Sequence, residues 1–256
     1  FLILSTGCVK NNITFHQDVK PIIHANCAVC HNPQGAGPFD LISYQDIYKR
    51  TKMIEEVITT GYMPPWPADP TYRTFLNEKT LSKAEIHTII NWAQLGKKEG
   101  EKTNNNIIDS IMSIKEKKAD LRINMHKTHV TNNSNKDEFL MMKFPFELPS
   151  DTFIKKIEFV PANKQIVHHI NGHLITYEAH QKKDIFSGHF SVDTEQFSDL
   201  ECFLQLELLN DDNTYPMLTP SVSNYLPGAE QTDYPEGIGG FKATKKNIIL
   251  VNDFHY

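Results

Sequence analysis

The stretch "CAVCH" at residues 27–31 constrains this chain more than any other. Two cysteines three apart at a helix end face the same way and can take the two vinyl groups of a haem as thioethers. A histidine directly after them then lies under the iron as its proximal ligand. Cys27, Cys30 and His31 are therefore a candidate c-type haem attachment. Two other chemistries use paired cysteines. A zinc half-site wants a second ligand pair at knuckle spacing, and the chain has none. A dithiol redox pair wants a βα unit, whereas this motif follows a helical pattern. An electron-carrying haem of this kind takes a sixth ligand, normally a methionine from a downstream loop. "TGYMPPWPADP" offers Met63 in a segment where Pro64 and Pro65 fix the backbone, which keeps a thioether aimed at low entropic cost. Met53 is the rival, but it falls at a helical core position. His/Met ligation raises the potential and leaves no open position for oxygen, so this part of the chain is expected to carry electrons.

Hydrophobic spacing around the motif predicts a small all-α unit over residues 14–98. "TFHQDVKPIIHANC" places Phe15, Val19, Ile22 and Ile23 on one helical face, with Thr14 a candidate N-cap. "YQDIYKRTKMIEEVITTG" repeats the pattern and stops at Gly61. "LSKAEIHTIINWAQLG" opens with Ser82 and Glu85 in capping-box spacing and ends at Gly96. The polar, turn-rich "KKEGEKTNNN" predicts a linker across residues 99–119. From 120 to 256 the pattern changes. "DEFLMMKFPFELP", "TFIKKIEFVP", "QIVHHINGHLITYE" and "ECFLQLELL" are short β-type runs between Pro, Asn and Asp clusters, as in a sandwich. The expected architecture is thus multidomain, a small all-α domain followed by an all-β, jelly-roll-like sandwich.

Twelve histidines, seven methionines and four cysteines make metal binding a fair expectation. Lys and Arg number 26 against 31 Asp and Glu, spread evenly, so no basic stripe argues for nucleic acid. The chain begins on Phe1, and "FLILSTGC" has the form of a signal-segment tail running into small residues and Cys8. That resembles a bacterial lipoprotein signal, in which such a cysteine is lipidated; the other reading is a short buried strand with a core cysteine. The polar "KNN" after Cys8 favours the lipoprotein, and implies export to the periplasm or outer surface with a lipid anchor. No other stretch approaches the ~18 apolar residues of a membrane span.

"HANCAVCHNPQGAGPFDLISY", "GYMPPWPADP" and "LSKAEIHTIINWAQLG" together resemble the small cytochrome c domains of bacterial exported oxidoreductases. The resemblance implies Cys27 and Cys30 as covalent haem anchors, His31 as proximal and Met63 as distal ligand. Trp66 and Trp92 become haem-pocket packing.

In the second part, adjacent His168 and His169 lie in a strand-like run. Neighbours on a strand point to opposite faces, so both reach one ion only at a strand end or a twist. One core and one surface histidine is the alternative, and spacing leaves both open. His126, His129, His180 and His189 are expected to be solvated or polar-face residues. "NYLPGAEQTDYPEGIGGFKATKKNIILVNDFHY" then is similar to the copper type II, ascorbate-dependent monooxygenases, which include peptidylglycine α-hydroxylating and dopamine β-monooxygenases. That resemblance implies His168, His169 and His255 as ligands of the electron-storing copper, with His173 ranked below His255. In the family a second copper, held by two His and a Met in a following β-domain, activates oxygen. No such domain is present here, and Met217 precedes the "HY" strand, so it does not match. Cys202 stands alone in place of the animal enzymes' disulfides.

The expected function is electron transfer from a c-type haem to the copper of an exported copper-dependent monooxygenase, with a quinone-linked or soluble cytochrome as donor. The alternative is a stand-alone haem-carrying lipoprotein whose β-domain docks a partner. The apolar run before "NDFHY" predicts a strand cut short at Tyr256, before a second copper domain.

Overall fold

A computed structural model describes residues 12–69, 71–75, 78–102, 118–127, 129–130, 137–229, 233–235 and 237–255. Cys8 lies outside them. Two compact units make up the chain, Phe1–Lys117 and Lys118–Tyr256.

In the first unit a π-helical turn, Phe15–Val19, runs into α1 (Lys20–Asn26). Pro21 has no N–H to give to the carbonyl four residues back, so a regular α-turn cannot form there and the chain widens. Thr14 does not cap with its hydroxyl as the sequence suggests; its backbone N–H instead donates to the Asp18 carboxylate at 2.8 Å. Helix α2 (Tyr44–Thr59) starts from a capping box of Ser43 and Asp46, and α3 (Lys83–Gln94) from the predicted box of Ser82 and Glu85. Each box satisfies two backbone donors that a helix start leaves without partners. Gly61 and Gly96 follow the two helices at positive φ, as stop residues should. Phe15, Val19, Ile23, Ile47, Ile54, Ile58, Ile89 and Trp92 close into one buried cluster.

Residues 97–100 are not the start of a free linker. Phe15 N–H donates to Lys98 O at 2.8 Å, His16 N–H to Glu99 O at 3.0 Å, and the Trp92 indole to Lys98 O at 2.9 Å. The segment is sewn to the first turn like an edge strand.

In the second unit, five strands form an antiparallel sheet in the order β4-β1-β7-β3-β5. They are β1 (Phe139–Glu147), β3 (His169–Tyr177), β4 (Ser191–Asp193), β5 (Met217–Tyr225) and β7 (Lys246–His255). A separate antiparallel pair joins β2 (Thr152–Ile154) to β6 (Phe241–Ala243). The apolar run Ile248–Val251 is buried on both faces, which suits the central position of β7. One face packs Met141, Ile175, Tyr177, Ile248 and Leu250 on Cys202, Leu206 and Leu208. The other packs Phe146, Leu174, Val222 and Ile249 beneath Ile154 and Phe241 of the small sheet.

The expected fold class is corrected by this architecture. A distinct all-α cytochrome c domain followed by an all-β, jelly-roll-like sandwich does not form. The described residues make a mixed α/β structure of four short α-helices, one five-stranded sheet and one two-stranded sheet. Two physical reasons stand out. The helices of the first unit are separated by irregular stretches at 27–43, 60–69, 71–75 and 78–82, rich in Gly, Pro and Asn. In the second unit "ECFLQLELL" is not a strand: Ser198 and Glu201 form a capping box and Asp199–Gln205 become α4, which buries Cys202. A helix therefore covers the face where a second sheet of a sandwich would lie, and "TFIKKIEFVP" contributes only the three residues of β2.

Candidate functional site

Helix α1 ends at Asn26, and the chain turns directly into the cysteine motif. Cys27 N–H donates to Ile23 O at 2.8 Å; Cys30 N–H and His31 N–H both donate to Cys27 O, at 3.1 and 2.9 Å. These bonds close the backbone of residues 27–31 into a tight turn. Both thiols are free. Burial, aided by the neighbouring Cys30, pushes the Cys27 thiol up to about 11. Burial also raises Cys30, opposed by Lys79. A working dithiol redox pair needs the opposite, a thiol lowered toward neutrality, so the environment disfavours that chemistry.

His31 Nδ1 faces Phe39 O at 2.9 Å. A carbonyl only accepts, so Nδ1 carries the proton and Nε2 keeps its lone pair, which is the tautomer an iron ligand requires. The loop opposite is pressed close. A Cβ at Gly37 would lie 2.6 Å from His31 Nδ1, and one at Gly35 would lie 2.0 Å from Cys30 O. Only glycine fits at either place. The Arg50 guanidinium lies over the Phe39 ring, 4.4 Å from its centroid. The donor set of two neutral thiols and one imidazole with a fixed tautomer fits covalent haem, and Cys27, Cys30 and His31 would hold it.

Met63 is half-buried after α2, its N–H bonded to Val57 O at 3.1 Å. Met53, expected in the core, is instead 42% exposed on α2. Near Met63, the Trp66 indole N–H is buried without a hydrogen-bond partner among the described residues, and its ring meets Phe75 edge-on at 6.1 Å. Trp92 belongs to the helical core between Phe15 and Tyr44.

The histidines of the second unit gather at one end of the large sheet. Val167 and Ile170, three apart, both enter the apolar cluster of Leu140, Met142 and Val251. Strict alternation forbids that spacing, so the chain turns between them, and His168, just before β3, escapes the alternation rule. His255 arrives on the same side through a bulge. From β1, Leu140 pairs with Phe254 and Met142 with Val251; from β3, Asn171 pairs with Asp253 and Gly172 with Val251. Asn252 is the extra residue in both ladders. Val251 and Phe254 consequently share a face, and His255 takes the opposite one, directly across from His169 and Phe139.

The resulting cluster is tight. His168 Nδ1 lies 3.4 Å from His255 Nε2, and their rings meet edge-on with centroids 4.6 Å apart. His169 and His255 rings are 5.1 Å apart, and Phe139 stacks flat on His255 at 4.3 Å. His169, however, commits its Nε2 to Asp253 Oδ2 at 2.7 Å. Asp137 Oδ1 approaches His255 Nε2 at 3.5 Å. Ligand atoms of Asp137, His168 and His255 all lie within 4.8 Å of one another.

No family model, no curated protein and no solved structure matches the chain.

His173 is held away from the cluster, its Nδ1 accepting from Ser221 N–H at 3.1 Å. His126 stacks on Phe190 at 4.2 Å, and His129 pairs with Glu138 at 3.2 Å. Asp137 and Asp253 were not anticipated. Each stands two residues before an aromatic partner of the cluster, Phe139 and His255, so strand parity was the available signal. Imidazoles suit copper, zinc, iron and nickel alike, so Asp137, His168 and His255 form a donor group that could hold a metal ion of borderline character.

Proposed function

We propose that the chain is an exported electron-transfer protein serving a copper-dependent oxidoreductase. Cys27 and Cys30 hold a c-type haem by thioether bonds, His31 is its proximal and Met63 its distal ligand. His168 and His255, with His169 beside them, hold one copper. The haem supplies a one-electron carrier closed to oxygen, and the copper a second one-electron centre. The reading extends to a lipid anchor at Cys8 and to C–H hydroxylation by a larger assembly that completes an oxygen-activating site.

The observation that carries the proposal is the His31 tautomer. Phe39 O fixes the proton on Nδ1 and leaves Nε2 available beside two neutral thiols. The chain's own contribution is positional: the Gly35–Gly37 loop presses the imidazole in place and α1 delivers the cysteines.

The test is expression in a periplasm competent for c-type haem maturation. Covalent haem that survives denaturation, and is lost in Cys27→Ser and Cys30→Ser, is the expected result. Protein emerging without haem from such a host overturns the reading. Stopped-flow oxidation of the reduced haem should depend on copper loading. Iron without copper, unchanged by His168→Ala, would replace the proposal by a stand-alone haem carrier.

A further inference from the structure

We propose that Asp137 is the third protein donor to the metal at His168 and His255, making a two-histidine, one-carboxylate centre for a divalent ion. The inference rests on the metal-centre half of the proposed function and changes its ligand set.

The separations support it. Donors bound tetrahedrally at about 2.0–2.2 Å stand roughly 3.3–3.6 Å from each other. His168 Nδ1 to His255 Nε2 is 3.4 Å and His255 Nε2 to Asp137 Oδ1 is 3.5 Å, so two sides of the coordination triangle already have the right length. Those contacts are also too long for good hydrogen bonds, which cluster at 2.7–3.2 Å. The neighbouring pair supplies the contrast. His169 Nε2 to Asp253 Oδ2 closes to 2.7 Å, which is what a satisfied imidazole–carboxylate bond looks like in this part of the sheet. Three groups within 4.8 Å of one another, two of the pairs at ion-sized spacing, beside a fourth already bonded elsewhere, distinguish an inner set from an outer one.

Chain geometry makes Asp137 available. It precedes β1 by two residues, on the same strand parity as Phe139, whose register partner is His255. Its side chain is 65% exposed and the His255 side chain 16% exposed, so an ion is reached from solvent on the Asp137 side and backed by the Phe139 ring. A carboxylate is a hard donor that adds one negative charge. It favours Zn(II) and Cu(II) over the softer Cu(I).

The experiment titrates the full haem-loaded chain with Zn(II) and with Cu(II) against a chromophoric chelator. Wild type, Asp137→Asn, His168→Ala and His169→Ala are compared, with melting temperature of the metal-free proteins as the folding control. One ion per chain is expected. Asp137→Asn and His168→Ala should weaken it about 10–100-fold, and His169→Ala should change it by less than about threefold. Cu(II) electron spin resonance should show two coordinated nitrogens, unchanged in His169→Ala. Tight binding by three nitrogens that ignores Asp137→Asn but fails in His169→Ala overturns the inference and leaves the copper reading standing. Absence of any bound ion overturns both.

Discussion

His169 stands directly across the ladder from His255, yet its Nε2 is bound to Asp253 rather than turned to the ring opposite. A carboxylate two residues before His255 thus holds back the one histidine that strand register would have brought to it. The Asp253 bond also fixes which nitrogen of His169 is occupied, so this imidazole has one defined orientation.

Removing that restraint should change the metal's ligand count. In Asp253→Ala the His169 ring is free to turn toward His255, 5.1 Å away between centroids. Cu(II) spin resonance should then gain a third nitrogen, with tighter Cu(I) binding than wild type. An unchanged nitrogen count would mean that Asp253 does not restrain His169.

Under the proposed haem ligation, Gly37→Ala should disturb His31 without disturbing the helices. The new Cβ would lie 2.6 Å from His31 Nδ1, closer than carbon and nitrogen can approach, so either the imidazole or the loop must move, and the imidazole is the side expected to give. Haem should still attach through Cys27 and Cys30, but the low-spin His/Met spectrum should be lost or mixed. A wild-type spectrum would show that the loop yields instead.

His24 should make stability fall in mild acid. It is fully buried, its Nε2 donates to Ile42 O at 2.9 Å, and its Nδ1 has no partner among the described residues. Burial lowers its pKa, against the Ile42 bond and with help from Lys20. A histidine in the unfolded chain titrates near 6.5 (about). Below that pH the unfolded state takes a proton the folded state refuses, so stability is fully present above it and falls as pH drops toward the folded pKa. The slope is at most about 1.4 kcal/mol per pH unit for one proton. Urea midpoints at pH 7.5, 6.0 and 5.0 (roughly, spanning the window) should decline in wild type and flatten in His24→Gln.

Lys143 gives the opposite window. It is 2% exposed on β1, donates to Leu206 O at 2.6 Å and to Ser187 O, and lies over Phe190. Burial draws its pKa down to about 8, against about 10.4 for a free lysine. As pH rises from 8 toward 10 (about) the folded state sheds its proton first, the unfolded state binds more, and stability increases. Lys143→Met should abolish that rise. It should also destabilise by about 1–3 kcal/mol at neutral pH, because two carbonyls lose their donor. Thermal melts of the two proteins across this range check both statements.

Local chemistry was legible in the sequence wherever one short stretch decided it. "CAVCH" implied its own turn, and Ser82 with Glu85 marked the start of α3. The strands β1 and β3 followed from runs of Phe, Met, Ile and Val. What failed was competition between two local signals. Leu204, Leu206 and Leu208 alternate with polar residues like a strand, but Ser198 and Glu201 cap a helix first, and the helix won. Thr14 looked like a cap, but Asp18 reached back to the Thr14 amide instead. At the histidine cluster, the His168–His169 pair was visible and Asp137 was not. Its closeness to His255 exists only after β1 and β7 are paired, across more than a hundred residues of chain.

Asn252 carries the last consequence. Counting outward from the core, every second residue of β7 keeps its side until Val251, and after Asn252 the count changes parity. The strand is in effect two modules in series. Its inner half answers to packing, where Ile248–Val251 are fixed by both faces of the sheet. Its tip is addressed independently, since one inserted residue decides which side the terminal histidine serves. Apolar substitutions among Ile248–Val251 can therefore be judged by volume. A change of length at residue 252 would leave the core composition intact and redirect His255 to the other face.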